Sequence, residues 1–169
     1  MKGIALCGFM GCGKTTVANA LENEYNLKHI DTDKYIEENC LMSISELFEK
    51  YGEEYFREKE HSAILTLTKQ RDLVLALGGG AVMFERNVKA LKDNGYLIVF
   101  LDTDLAVIKN RLLNDTSRPL LKSNDIDKLY NKRINTYNFV SDVKITCSTQ
   151  DGKTLAKMII DKIKKEGFI

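Results

Sequence analysis

The run GFMGCGKTT, Gly8 to Thr16, stands directly behind the apolar stretch GIALC (3–7). Gly8, Gly13, Lys14 and Thr15 satisfy the pattern G-x-x-x-x-G-K-[ST]. The glycines let the backbone turn tightly and aim N–H groups at an anion. A helix opening near Lys14, carrying Val17, Ala18 and Leu21 at helical spacing, adds the positive end of its dipole. Lys14 is then placed to reach the β- and γ-phosphates of a nucleotide, and the Thr15 hydroxyl to coordinate Mg²⁺. The pattern arises by accident in roughly one chain in 200 of this length. Here it also sits between a strand and a helix, as its mechanism demands. Gly11, Cys12, Gly13, Lys14, Thr15 and Thr16 are therefore candidate nucleotide-binding residues. A P-loop alone does not separate a kinase from a GTPase or a motor.

Behind the loop, apolar runs alternate with amphipathic stretches. LKHID (27–31), LVLAL (73–77), YLIVFL (96–101) and VKIT (143–146) read as strands after GIALC. Ser43 and Glu46 have the spacing of a capping box that opens a helix. A charged helix follows over about 53–70, with Phe56, Ile64 and Leu67 on one side. Further helices are expected over 84–94, from Asp104, up to about Val140, and at the carboxyl end. Five apolar runs separated by helices mean βα units: an α/β protein with a parallel sheet covered on both faces. With 169 residues and no linker or repeat, a single domain (1–169) is expected.

Composition closes off several function classes. A net charge of +1 gives no broad electrostatic case for nucleic acid or an acidic membrane. LVLALGGGAVMF, the longest uncharged apolar stretch, is broken by three glycines and too short to span a bilayer. The four cysteines (7, 12, 40, 147) make no C-x-x-C pair and read as free thiols, so a cytoplasmic protein is expected. The even charge favours a monomer. Cys12 lies inside the P-loop, near a helix N-terminus next to Lys14, a setting for a reactive thiol. Alkylation there is expected to block nucleotide binding, and ATP to protect against it.

The acceptor side is written in three further places. DTD (31–33) ends the second strand, at the carboxyl edge where ligands bind in such sheets. Read functionally, Asp31 serves Mg²⁺ through water and Asp33 a substrate hydroxyl; read structurally, Asp33 caps the next helix. Arg57 and Glu60, three apart, are either functional or a surface ion pair. Gly78, Gly79 and Gly80 are either a flexible turn or bare backbone against which a ligand lies.

In order along nearly the whole chain, these pieces resemble the shikimate kinase family. The resemblance rests on GFMGCGKTT, DTD, and G-E-x-x-F-R-x-x-E as Gly52, Glu53, Phe56, Arg57 and Glu60. It continues with LALGGGAV, RPLL (118–121), and R-x-x-x-Y as Arg133 and Tyr137. FREKE followed by ALGGGAV is far more specific than the P-loop. The resemblance implies a three-layer P-loop fold of the nucleoside-monophosphate-kinase type, with a five-stranded parallel sheet and a mobile lid over about 112–125. It implies a substrate-binding helical region over about 33–60. It also implies transfer of phosphate from ATP, with Mg²⁺, to the 3-hydroxyl of shikimate, in aromatic amino acid biosynthesis.

Asp33, Arg57, Gly78, Gly79, Gly80 and Arg133 are implied to hold shikimate. Lys14, Asp33 and Arg118 would act on the transferring group. Arg111 and Arg118 would contact the nucleotide, and Thr15 and Asp31 would serve the metal. The turn after the last strand, CSTQDGKT (147–154), lacks the proline that many family members place against the base. Two other functions share parts of this pattern. A gluconate or nucleoside-monophosphate kinase shares the phosphate chemistry but gives no reason for Arg57, Glu60 and the triple glycine. A nucleotide-dependent regulator would lack an acceptor carboxylate and a lid arginine, which this chain has in Asp33 and Arg118.

Overall fold

A computed structural model describes residues 1–113 and 123–169. Arg118 and most of the expected lid lie outside the described residues.

Five parallel strands form one sheet in the order β2–β3–β1–β4–β5. They are β1 (Gly3–Cys7), β2 (Lys28–Asp31), β3 (Leu73–Ala76), β4 (Tyr96–Thr103) and β5 (Val143–Cys147). The central strands read as unbroken apolar runs because each face is covered. Ile4, Leu6, Val74, Val99 and Ile145 point to a layer made by α1 (Lys14–Tyr25) and α7 (Gly152–Lys165). Ala5, Cys7, Leu75, Ile98 and Phe100 point the other way. They meet α3 (Ile44–Leu67), α4 (Glu85–Asp93), α5 (Leu105–Leu113) and α6 (Ser123–Val140). At the edge, β5 alternates buried and exposed residues, and its Lys144 pairs with Asp102 at 2.8 Å. The three-layer α/β arrangement inferred from the sequence is the one observed.

Two helical details sharpen that reading. The box at Ser43 is formed as its spacing requires: Glu46 N–H donates to Ser43 Oγ and Ser43 N–H to Glu46 Oε2. The helix it opens runs on into the charged helix, broken only at Gly52, where φ is 80°. The 33–60 region also contains a separate helix, α2 (Thr32–Cys40). Asp31, not Asp33, caps it, accepting from the Asp33 and Lys34 N–H groups through Oδ1. The helix-cap reading of Asp33 is thereby corrected, and its side chain is not committed to that role.

The strand order reverses about β1, with β2 and β3 on one side and β4 and β5 on the other. The carboxyl ends of β1, β2 and β3 therefore open on the crevice where open α/β sheets bind ligands.

Candidate active site

The phosphate loop leaves β1 and enters α1 through Gly13, whose φ of 100° is a left-handed conformation that costs glycine little. No side chain caps α1, so the first-turn N–H groups of Lys14, Thr15 and Thr16 face the crevice. Lys14 Nζ donates to the Gly8 and Phe9 carbonyls at 2.9 and 3.1 Å, which holds the ammonium over the loop. Arg111 Nη1 reaches from α5 to the Gly11 carbonyl at 3.2 Å. It shares the cavity wall with Gln150 and Gly152 of the turn after β5.

Cys12 behaves otherwise than its neighbours suggest. Its N–H donates to Phe9 O at 3.2 Å, and its side chain is 1% exposed within the core beneath the loop. So little exposure shields the sulfur from reagents and argues against the rapid, ATP-protected alkylation expected from its position.

Across the crevice, Thr15 Oγ1 donates to Asp31 Oδ2 at 3.0 Å. Asp31 thus gives one oxygen to the cap of α2 and turns the other to the phosphate loop. Thr32, fully buried, donates through its hydroxyl to Ala76 O and accepts from Gly78 N–H at 3.0 Å. The middle residue of DTD therefore ties the end of β2 to the glycine turn after β3. No local pattern signals this tie, since its partners are 44 and 46 residues away.

Each glycine of that turn stands against a different charged side chain. A β-carbon built on Gly78 would be 2.6 Å from Asp33 Oδ1, and one on Gly80 2.9 Å from Arg57 Nη2. One on Gly79 would be 3.5 Å from Arg133 Nη1. Tyr137 on α6 donates to Gly79 O at 2.5 Å. Burial raises its phenol far above the ordinary range, so it stays a donor.

Arg57 is tightly held. Nη1 lies 3.1 Å from both Glu60 oxygens, while Nε and Nη2 reach Glu53 at 3.2 and 3.1 Å. Its guanidinium carbon is 5.0 Å from the ring centroids of Phe56 and Phe84. Glu60 is 1% exposed, so this is a buried pair and not a surface ion pair. Burial pushes the Glu60 carboxyl above its ordinary value, with Arg57 opposing.

The phosphate loop, Asp31, Asp33, Gly78, Gly79, Arg111 and Arg133 line one cavity of about 560 Å³. Among the described residues, no group of three or more His, Cys, Asp or Glu is placed to hold a metal. No described helix is long and apolar enough to cross a membrane.

Residues 10–164 match the family model for shikimate kinase. The chain belongs to the shikimate kinase family. It is 40% identical to a shikimate kinase of Sulfurihydrogenibium sp. (strain YO3AOP1), over 98% of this chain and 99% of that one. It is 41% identical to that of Macrococcus caseolyticus over 83% of this chain and 84% of the other. The solved shikimate kinase from Acinetobacter baumannii, in complex with shikimate, superposes with a TM-score of 0.91 at 32% identity. It covers all of this chain, and 96% of that chain is matched. The family is one of phosphotransferases that use ATP to phosphorylate shikimate in aromatic biosynthesis.

Proposed function

We propose that this chain transfers the γ-phosphoryl group of ATP to the 3-hydroxyl of shikimate, acting as a cytoplasmic, monomeric, single-domain kinase. The observation that supports this reading is the convergence of Asp33, Arg57 and Arg133 on three successive glycines beside a phosphate loop. Shikimate carries one carboxylate and three hydroxyls. Two guanidinium groups can clamp the carboxylate with a fork geometry that lysine cannot match. Asp33 then accepts from a ring hydroxyl, orients it and takes up its proton as the phosphate arrives. Bare backbone at Gly78 and Gly79 lets the ring lie close to those groups.

Phosphoryl transfer is mainly positioning and charge stabilisation. Lys14 would leave the loop carbonyls for the phosphate oxygens, joined by the N–H groups opening α1. Arg118 carries charge to the transferring group on the strength of the resemblance. Arg111, Gln150 and the turn at Gly152 form the nucleotide end of the cavity.

Thr15 and Asp31 would hold Mg²⁺, Thr15 directly and Asp31 through water. A hydroxyl and a carboxylate oxygen 3.0 Å apart are hard donors, and so small a protein set leaves the remaining positions to water and phosphate, as Mg²⁺ prefers. When bound, the ion neutralises charge on the β- and γ-phosphates.

Phosphorus–proton coupling in the product tests the regiochemistry. Coupling to the C3 proton is expected, and phosphate on another oxygen would refute the proposed placement of Asp33.

A further inference from the structure

Asn87, in the first turn of α4, buries a carboxamide at 1% exposure that the proposed reaction does not use. Its Nδ2 donates to Ala81 O at 2.9 Å and lies 3.5 Å from Glu60 Oε2, at the outer edge of hydrogen-bond reach. Its Oδ1 is 2.8 Å from Nδ1 of half-buried His61. Those partners fix the amide. With His61 Nδ1–H as donor, the oxygen is committed and both amide hydrogens face acceptors. The opposite flip would set oxygen against a carbonyl and a carboxylate.

Both acceptors lead to Arg57. Glu60 receives Arg57 Nη1 through both oxygens, and Ala81 follows Gly80, which stands against Arg57 Nη2. Phe84, whose carbonyl accepts from Asn87 N–H at 3.0 Å, also puts its ring beside the Arg57 guanidinium. The start of α4 thus supports that guanidinium from two directions.

We propose that Asn87 is a positioning residue for the acceptor substrate. It sets Glu60 and the end of the glycine turn, and through them the Arg57 guanidinium that meets the substrate carboxylate. This rests on Arg57 being the carboxylate clamp.

The test is steady-state kinetics of Asn87→Leu beside the unaltered protein, varying shikimate and ATP separately. The KM for shikimate should rise about tenfold, with kcat and the KM for ATP within about twofold. In a Glu60→Gln background the same substitution should add clearly less than it does alone, because part of its effect passes through Glu60 and the rest through the glycine turn. His61→Ala, which leaves the buried amide oxygen without its donor and loosens the amide without removing Glu60, should raise the shikimate KM by about threefold. It also serves if Asn87→Leu fails to fold. An unchanged shikimate KM in a folded variant, equal losses in both KM values, or full additivity with Glu60→Gln would overturn the proposal. If the unaltered protein ignores shikimate, the functional reading falls and takes this inference with it; if it turns over normally and Asn87→Leu matches it, only this inference falls.

Discussion

Gly78 and Asp33 share one volume: a β-carbon on the glycine would stand 2.6 Å from the carboxylate oxygen. Gly80 stands in the same relation to Arg57 at 2.9 Å, whereas Gly79 leaves Arg133 an ordinary contact of 3.5 Å. None of the three has a positive φ, so the constraint is steric and not conformational. Alanine at 78 or 80 should therefore displace a charged group and lower kcat/KM for shikimate by about tenfold to a hundredfold. Alanine at 79 should stay within about threefold. Kinetics of the three single variants check this, and equal effects at all three would contradict it.

Arg57 and Glu60 should be separable by stability as well as activity. Removing the guanidinium strands a carboxylate that is 1% exposed, so Arg57→Ala should lose about 3 kcal/mol, and Arg57→Ala with Glu60→Gln should recover most of it. The pH dependence has a definite sign. Burial raises the Glu60 carboxyl in the folded state, so the fold binds that proton more tightly than the unfolded chain. The stabilisation is present below its ordinary value of 4.5 and is lost as pH rises through the folded-state value. Denaturant midpoints across that range should show this fall in the unaltered protein and a smaller one in Glu60→Gln.

Thr32 joins two strand ends through one hydroxyl. Thr32→Val keeps the shape but leaves Gly78 N–H without its buried acceptor, and should cost about 1–3 kcal/mol. Thr32→Ser should recover most of that. Urea unfolding measures both, and a Val variant as stable as the parent would show that the turn finds another acceptor.

Thiol labelling should follow burial. Cys7, Cys12 and Cys147 are buried, and only Cys40 is partly exposed. Burial also raises the Cys147 thiol to about 11 and Cys7 still higher. Mass spectrometry after brief alkylation should find Cys40 modified first, with all four labelled once the chain is denatured. Rapid, ATP-protected labelling of Cys12 would contradict the packing beneath the loop.

What the sequence made legible follows from physical range. Strands buried on both faces read as apolar runs, and the boxes at Gly8–Thr16 and Ser43–Glu46 are local patterns with local causes. Helix α2 was faint because TDKYIEENC offers Ile36 as its one fully buried apolar side chain. Asp31 and Asp33 look alike in sequence, and only the backbone path decides which of them caps. Asp33, Arg57, Arg133 and the glycines were each visible, but their one-to-one opposition depends on how α2, α3 and α6 meet the end of β3. Thr32 and Asn87 carried no signal at all, since their partners lie far along the chain or across a helix interface.

The function of this site is decided by which acceptor takes the phosphoryl group. The most direct measurement is ADP release from Mg²⁺-ATP with shikimate, gluconate, several nucleoside monophosphates and water alone as acceptors. Saturable turnover with shikimate, and only background release with the others, is the predicted result. Turnover with another acceptor in preference to shikimate would contradict the account, while leaving the phosphate loop as it stands.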